Sequence, residues 1–152
     1  LPGFVDLNIF GIFGRYEDYA IRFISNAICK SLFGLPITLR RNRRFSYLDV
    51  NDLPAVLEKF IENDVAHSSY NVVPDGFVEL RSIAEYVAGI SGAEVQVAAE
   101  GYGLDYYGSN ARLKTEFNTV TFTPLHESIN ALYEWYARNK HTLNYDALCV
   151  DK

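Results

Sequence analysis

Methionine is missing from this 152-residue chain, and there are only two cysteines and one tryptophan. Cys29 and Cys149 stand far apart and belong to no CxxC or CxxH pattern, so neither a disulfide framework nor a zinc site is suggested. On the apolar face of a helix, Cys29 reads as a small buried hydrophobe. No apolar run reaches the ~18 residues that span a bilayer. No signal-peptide pattern opens the chain. A cytoplasmic protein without a membrane partner is expected. Positive charge is also short: 14 Lys+Arg against 19 Asp+Glu leave a net charge of -5, the wrong sign for a general nucleic-acid binder. His67, His126 and His141 are isolated, with no HxxxH or HExxH spacing, so solvated or capping histidines are expected rather than metal ligands. The G-x-S-x-G hydrolase elbow is absent. So is the GxGxxG spacing, which brings backbone N–H groups and a helix N-terminus to a pyrophosphate. Gly11-Ile-Phe-Gly14 offers two glycines and reads as a tight strand-to-loop turn.

What is present fits one globular domain. Apolar residues make up 49% and charged residues 22%, and the length suffices to bury a core. Residues 4–10 read as a buried strand. Residues 17–33 read as a helix with Ile21, Ile24, Ile28 and Leu32 as its stripe, stopped by Gly34 and Pro36. Residues 36–40 and 44–48, joined by a polar tip at Asn42, predict a β-hairpin. Asn51 or Asp52 caps the next helix, with Pro54 in its first turn and Val56, Leu57, Phe60 and Ile61 on one face. A strand at 69–73 closes on Pro74-Asp75-Gly76. Leu80, Ile83, Ala84, Val87 and Ile90 form the next helical stripe, which ends at Gly92. A strand at 94–98, a Gly/Tyr-rich loop, a short helix near Leu113 capped by Ser109 or Asn110, and a last helix from Leu125 through Tyr136 follow. The alternation predicts an α/β domain with a partly parallel sheet.

Two local patterns bear on chemistry. Tyr136-Ala-Arg-Asn-Lys140 has the Tyr-x-x-x-Lys spacing in which a lysine lowers a tyrosine's pKa for proton transfer. It sits in the last helix with its tyrosine on the apolar stripe, so a coincidental match is expected. Arg40, Arg41, Arg43 and Arg44 form a local positive spot. Such a group either presents planar donors to a diphosphate or is a solvated tip.

The order of motifs resembles the second half of the extended short-chain dehydrogenase/reductases, the NAD-dependent epimerase/dehydratase family. Leu7-Asn-Ile-Phe-Gly-Ile-Phe-Gly14 is similar to the family's R-x-F-x-V-Y-G strand. Arg22-Phe-Ile24 with Leu32-Phe-Gly-Leu-Pro-Ile37 resembles its F-I…L-x-G-x-P-I. Phe45-Ser-Tyr-Leu-Asp-Val-Asn-Asp-Leu53 resembles R-D-F-I-Y-V-D-D-V, and Tyr70-Asn-Val72 resembles Y-N-V-G. Ser82-Ile-Ala-Glu-Tyr-Val87 up to Gly92, Gly108-Ser-Asn-Ala-Arg-Leu113 and Ser128 through Tyr136 continue the series.

The resemblance implies a partial Rossmann-like sheet with a substrate-binding α/β C-terminal region. It also implies that residues 1–152 continue a chain whose N-terminal cofactor domain precedes Leu1, a reading that the Leu1-Pro2-Gly3 opening suits. Cofactor, NAD or NADP, would belong to that parent and none would bind this segment alone. The substrate would be a nucleotide sugar. Gly11, Phe13, Phe23, Asn26, Arg43 and Arg44 are the implied substrate-side residues; Gly14 and Tyr16 are the implied cofactor-side ones, and no catalytic residue is assigned. Three departures are visible: the family arginine falls on Phe45, which puts Arg44 on the opposite strand face; its R-x-G-D contact is Gly101-Tyr-Gly103; and its asparagine is Gly11. The expected function is the substrate-side portion of an NAD(P)-dependent nucleotide-sugar epimerase, dehydratase or reductase. The alternative is a free-standing, non-catalytic ligand- or protein-binding domain of the same fold. An exposed edge at residues 4–10 would favour a homodimer.

Overall fold

The computed structural model describes residues 4–150, and the Leu1-Pro2-Gly3 opening lies outside them. The first elements are β1 (Asp6–Asn8), β2 (Ile12–Phe13), α1 (Phe23–Leu32), β3 (Ile37–Leu39), β4 (Arg44–Phe45), β5 (Leu48–Asp49) and α2 (Leu53–Glu62). They are followed by β6 (Ser69–Asn71), β7 (Val78–Glu79), α3 (Leu80–Ser91), β8 (Val95–Val97), α4 (Ala111–Glu116), α5 (Leu125–Arg138) and α6 (Tyr145–Leu148). The strands pair two by two. β1 with β6, β2 with β5 and β3 with β8 are parallel; β4 with β7 is antiparallel. The architecture is α/β. No helix among the described residues is long and apolar enough to cross a membrane.

The expected hairpin does not form. Its two arms belong to different pairs, β3 lying on β8 and β4 on β7. Asn42, read as an exposed tip, is 8% exposed. Its Oδ1 accepts the N–H of Arg81 at 3.0 Å and its Nδ2 donates to Glu79 at 2.9 Å. The amide thus caps the start of α3 from another part of the chain, where Glu79 itself makes no side-chain cap. A polar residue with both ends of its amide satisfied can be buried at little cost.

Helix α1 begins later than its apolar spacing predicts. Asp18 organises a turn first: its carboxylate accepts from Ala20 N–H at 3.0 Å and its carbonyl from Arg22 N–H at 2.8 Å. Ile21 is therefore exposed and outside the stripe. The end is as predicted. Gly34 takes the left-handed conformation (φ 70°), its N–H donates to Ser31 and that of Leu35 to Lys30, which is a Schellman closure. The stripe Ile24, Ala27, Ile28 and Cys29 is buried.

Helix α2 buries less than predicted: Val56 is inside and Phe60 partly so, but Leu57 is exposed and Ile61 is 83% exposed. Its cap also differs. Asp49 accepts from Asn51 N–H, while the Asp52 carboxylate takes both the N–H and the hydroxyl of Thr123. In α3, Ile83, Ala84 and Val87 are buried and Gly92 (φ 75°) ends the helix, while Ile90 is exposed. At α4 the capping hydroxyl is Ser109; Asn110 turns back to Val73 and Asp75. The strand expected at 4–10 shortens to β1 and is half-exposed rather than buried, because α2 and α4 cover one face only.

Two apolar clusters result. The larger joins α1, β3, α3 and α5 through Ile28, Ile37, Ile83, Val87, Ile129 and Tyr136. The smaller packs Leu48, Val56, Tyr70 and Leu113 beside the β1–β6 pair. Each fully buried aliphatic side chain contributes about 1.5–3 kcal/mol, so the larger cluster is the support from which the β2–α1 loop and the β3–β4 segment project.

Candidate functional site

The β2–α1 loop, the first turn of α1 and the β3–β4 segment surround a cleft of about 1050 Å³. One wall starts at β2, held to β5 by parallel pairing and by the Leu48 N–H donating to Gly11 carbonyl at 2.8 Å. Both glycines of the turn are needed for packing within the chain. A Cβ on Gly11 would stand 2.6 Å from Phe45 Cε1, and one on Gly14 2.3 Å from Val50 Cγ1. After Gly14 the chain reverses at Tyr16, which holds φ 69°, an uncommon value for a side-chain-bearing residue. The Tyr16 ring is 86% exposed and meets Trp135 edge-on at 5.1 Å. Asn26 braces the loop by donating to the Tyr19 and Ala20 carbonyls.

Glu17 closes the inner end. Its carboxylate accepts from the Ser25 hydroxyl and the Gly14 N–H. Burial nevertheless pushes its pKa above the usual carboxylate value, against those two bonds and the Arg22 charge. The Tyr47 phenol is raised further, by burial first and by Glu17 second, with Arg43 and Arg22 acting the other way. Tyr47 is stacked on Phe45 at 4.6 Å and meets Phe13 edge-on.

The opposite wall is the arginine segment, and neighbouring backbone fixes it residue by residue. Arg40 carbonyl accepts from Ala99 N–H, Asn42 carbonyl from Gly103 N–H, Arg43 carbonyl from Leu80 N–H and Arg44 carbonyl from Tyr106 N–H. Arg43 faces the cleft, with its guanidinium packed close to Gly103.

Of the residues implied by the motifs, Gly11, Phe13, Gly14, Tyr16, Phe23, Asn26 and Arg43 all line this one cleft. Arg44 does not. Its guanidinium lies over the Phe77 and Tyr102 rings, at 5.0 and 5.3 Å, and 3.6 Å from Asp105. The reason is strand alternation: Arg43 and Phe45 share a face and Arg44 takes the other. Arg15, Glu17, Arg22 and Tyr47 also line the cleft and were not among the expected residues. A helix read from residue 17 does not anticipate the turn around Asp18, which precedes α1 in the segment that carries Glu17 and Arg22.

Tyr136 and Lys140 do not work as a pair. Tyr136 is inside the larger core, where burial pushes its phenol up to about 12. Lys140 donates to the Leu32 carbonyl at 2.6 Å and sits over the Phe33 ring. Among the described residues no three His, Cys, Asp or Glu side chains group as metal ligands would.

No protein-family model matches the chain, and no curated protein matches it in sequence. Solved structures do match in fold. A dTDP-glucose 4,6-dehydratase from Bacillus anthracis, in complex with NAD, superposes with a TM-score of 0.75 at 16% identity, over 89% of this chain and 45% of that one. An enzyme from Bordetella bronchiseptica in complex with NAD and UDP gives 0.73 at 20% identity, over 88% and 43%. A GDP-L-fucose synthetase from Naegleria fowleri gives 0.72 at 14%, over 93% and 48%. The chain thus spans less than half the length of these proteins. At such identities the likeness is one of fold: over part of their length the chain shares the Rossmann-like α/β fold of these neighbours, which are themselves of the NAD-dependent epimerase/dehydratase family.

Proposed function

We propose that the chain is the C-terminal, substrate-side portion of an NAD(P)-dependent enzyme acting on a nucleotide-activated sugar. The observation that carries this reading is the convergence of the Gly11–Tyr16 loop, the start of α1 and the arginine segment on one cleft. Arg43, with Arg40 and Arg41 beside it, supplies planar donors that suit the non-bridging oxygens of a diphosphate. Phe13 and Phe23 give an apolar surface for a sugar or base, and the Gly14–Tyr16 rim is the side turned towards a cofactor. The edge of β1 away from β6 has no strand partner among the described residues, which suits the attachment of a further sheet. That edge is also where two copies would meet if the portion is isolated.

The dinucleotide itself is not a fit for the Gly11–Gly14 turn. Both glycines are used against Phe45 and Val50, so neither opens a cradle for a pyrophosphate. The nicotinamide, held by the rest of the parent, supplies hydride transfer. The residues of this chain bind, orient and shield the sugar nucleotide. In this reading the chain alone turns over no substrate; its Tyr-x-x-x-Lys match supplies no catalytic pair, since Tyr136 is a core residue and Lys140 is committed to Leu32 and Phe33.

Calorimetric titration of the chain with UDP, GDP and dTDP tests the reading. At least one should bind, and Arg43→Ala should weaken it by about tenfold, as loss of a charge-assisted contact does. Arg44→Ala, which removes no ligand contact, should weaken it much less. Failure of all three nucleotides to bind at millimolar concentration, or turnover of a sugar nucleotide by the chain alone, would overturn it.

A further inference from the structure

The cleft carries more positive charge than a diphosphate needs. Its lining contains five arginines, Arg15, Arg22, Arg40, Arg41 and Arg43, and a single described carboxylate, Glu17. The imbalance runs against the whole chain, in which acids outnumber bases 19 to 14. The five form two groups on different structural supports. Arg40, Arg41 and Arg43 belong to the β3–β4 segment, clamped by the backbone of residues 99–106. Arg15 and Arg22 flank the β2–α1 loop on the other wall.

Glu17 does little to offset the second group. Its oxygens are engaged by the Ser25 hydroxyl and the Gly14 N–H, and burial works against its ionisation. Arg22 and Arg43 both act on the Tyr47 phenol, so the fields of the two groups overlap at the floor of the cleft. Guanidiniums gathered around one cavity repel each other, and an anion that reaches both groups relieves that repulsion. A diphosphate diester brings about two negative charges, which one bidentate group of arginines satisfies. The other group is left with no counter-charge from the nucleotide.

We propose that the sugar of the substrate is itself acidic: the cleft takes a nucleoside diphosphate linked to a carboxylate-bearing sugar, with the diphosphate on Arg40, Arg41 and Arg43 and the carboxylate on Arg15 and Arg22. This rests on the nucleotide-sugar reading of the cleft. Phe13 and Tyr47, packed edge to face at 6.0 Å, line the same cleft and offer the sugar ring an apolar surface. A neutral sugar would leave the second arginine group without its partner, so selection operates against the uncharged substrate as well as for the charged one.

The test is calorimetric titration of the full chain with UDP, UDP-glucose and UDP-glucuronate. It is run at about 0.15 M salt, where charges beyond about 8 Å are screened. UDP-glucuronate should bind about tenfold more tightly than UDP-glucose, the gain expected of a paired carboxylate. In the Arg15→Gln/Arg22→Gln variant the two ligands should bind alike, and in Arg22→Lys, which keeps the charge but not the planar fork, part of the preference should remain. Binding of UDP with equal affinities for the two sugars would overturn the acidic-sugar inference and leave the nucleotide cleft standing. A preference that survives the double variant would overturn the assignment to Arg15 and Arg22. If none of the three binds, the nucleotide reading itself fails and the inference with it.

Discussion

Replacing Asn42 by alanine removes a side chain that ties the arginine segment to helix α3. The carboxamide oxygen accepts from Arg81 N–H at 3.0 Å, which makes Asn42 the N-terminal cap of α3 from outside the helix. Loss of such a cap costs about 0.5–2 kcal/mol. The bond from Asn42 Nδ2 to Glu79 adds little, because Glu79 keeps the Tyr102 hydroxyl at 2.8 Å and has access to water. A total of about 1.5 kcal/mol corresponds to a fall in Tm of roughly 3–6 °C for a domain of this size. Urea unfolding followed by circular dichroism measures it directly. Asn42→Asp keeps the acceptor for Arg81 but sets a second carboxylate beside Glu79. It should be destabilised at neutral pH and recover as Glu79 is protonated in acid. The Glu79 pKa is lowered first of all by the Asn42 hydrogen bond. The stability linked to it is therefore present above the ordinary carboxylate pKa and lost as pH falls through the folded value; in Asn42→Ala that part should disappear. An Asn42→Ala change within about 0.5 kcal/mol of zero, the usual range for an exposed polar site, would refute the reasoning and restore the hairpin tip.

Other outcomes follow from single contacts. Gly14→Ala places a Cβ 2.3 Å from Val50 Cγ1 and should cost about 1–3 kcal/mol, as overpacking does; Val50→Ala in the same chain should recover most of it, and a stable single variant would show that the turn has room. Glu17 has a folded pKa raised mainly by burial, so its contribution is full below the ordinary glutamate pKa and lost as pH rises through the folded one. Glu17→Gln should accordingly gain stability relative to the parent between pH 4 and pH 7, and a urea-midpoint difference that stays constant over that range would refute this. Cys29 is buried with its thiol pushed up to about 12, whereas Cys149 is exposed. Iodoacetamide should add once to the native chain and twice in denaturant, and mass spectrometry of a doubly modified native chain would contradict that burial.

The parts of the fold legible in the sequence are those whose reason is local. Gly34 and Gly92 end α1 and α3 because both take φ near +70°, a conformation that glycine reaches without strain. The buried stripe Ile83, Ala84 and Val87 follows from 3.6-residue periodicity alone. What was not legible depended on polar contacts that apolar spacing does not carry, with partners distant in the chain at Asn42 and close by at Asp18. Nothing near Asn42 announces that Glu79 and Arg81 will receive its amide, so polar residues among arginines look like a solvated tip. Helix α1 starts at residue 23 rather than 17 because of hydrogen bonds around Asp18, and the apolar spacing carries no trace of them.

The arginine face shows how far one local rule reaches. Motif order aligned the family arginine with Phe45, and alternation along a strand then required Arg44 to point away from whatever Phe45 faces. The fold follows that requirement: Arg43 and Phe45 line the cleft, while Arg44 is held over Phe77 and Tyr102 beside Asp105. The same alternation gives Arg43 and Arg44, neighbours within a cluster of four arginines, different tasks. Arg40, Arg41 and Arg43 are open to a ligand, and Arg44 locks the 100–108 loop that in turn fixes the segment through the Tyr106–Arg44 and Gly103–Asn42 backbone bonds. Loss of Arg44 would therefore reach the cleft only by loosening that loop, whereas loss of Arg43 removes a ligand contact outright.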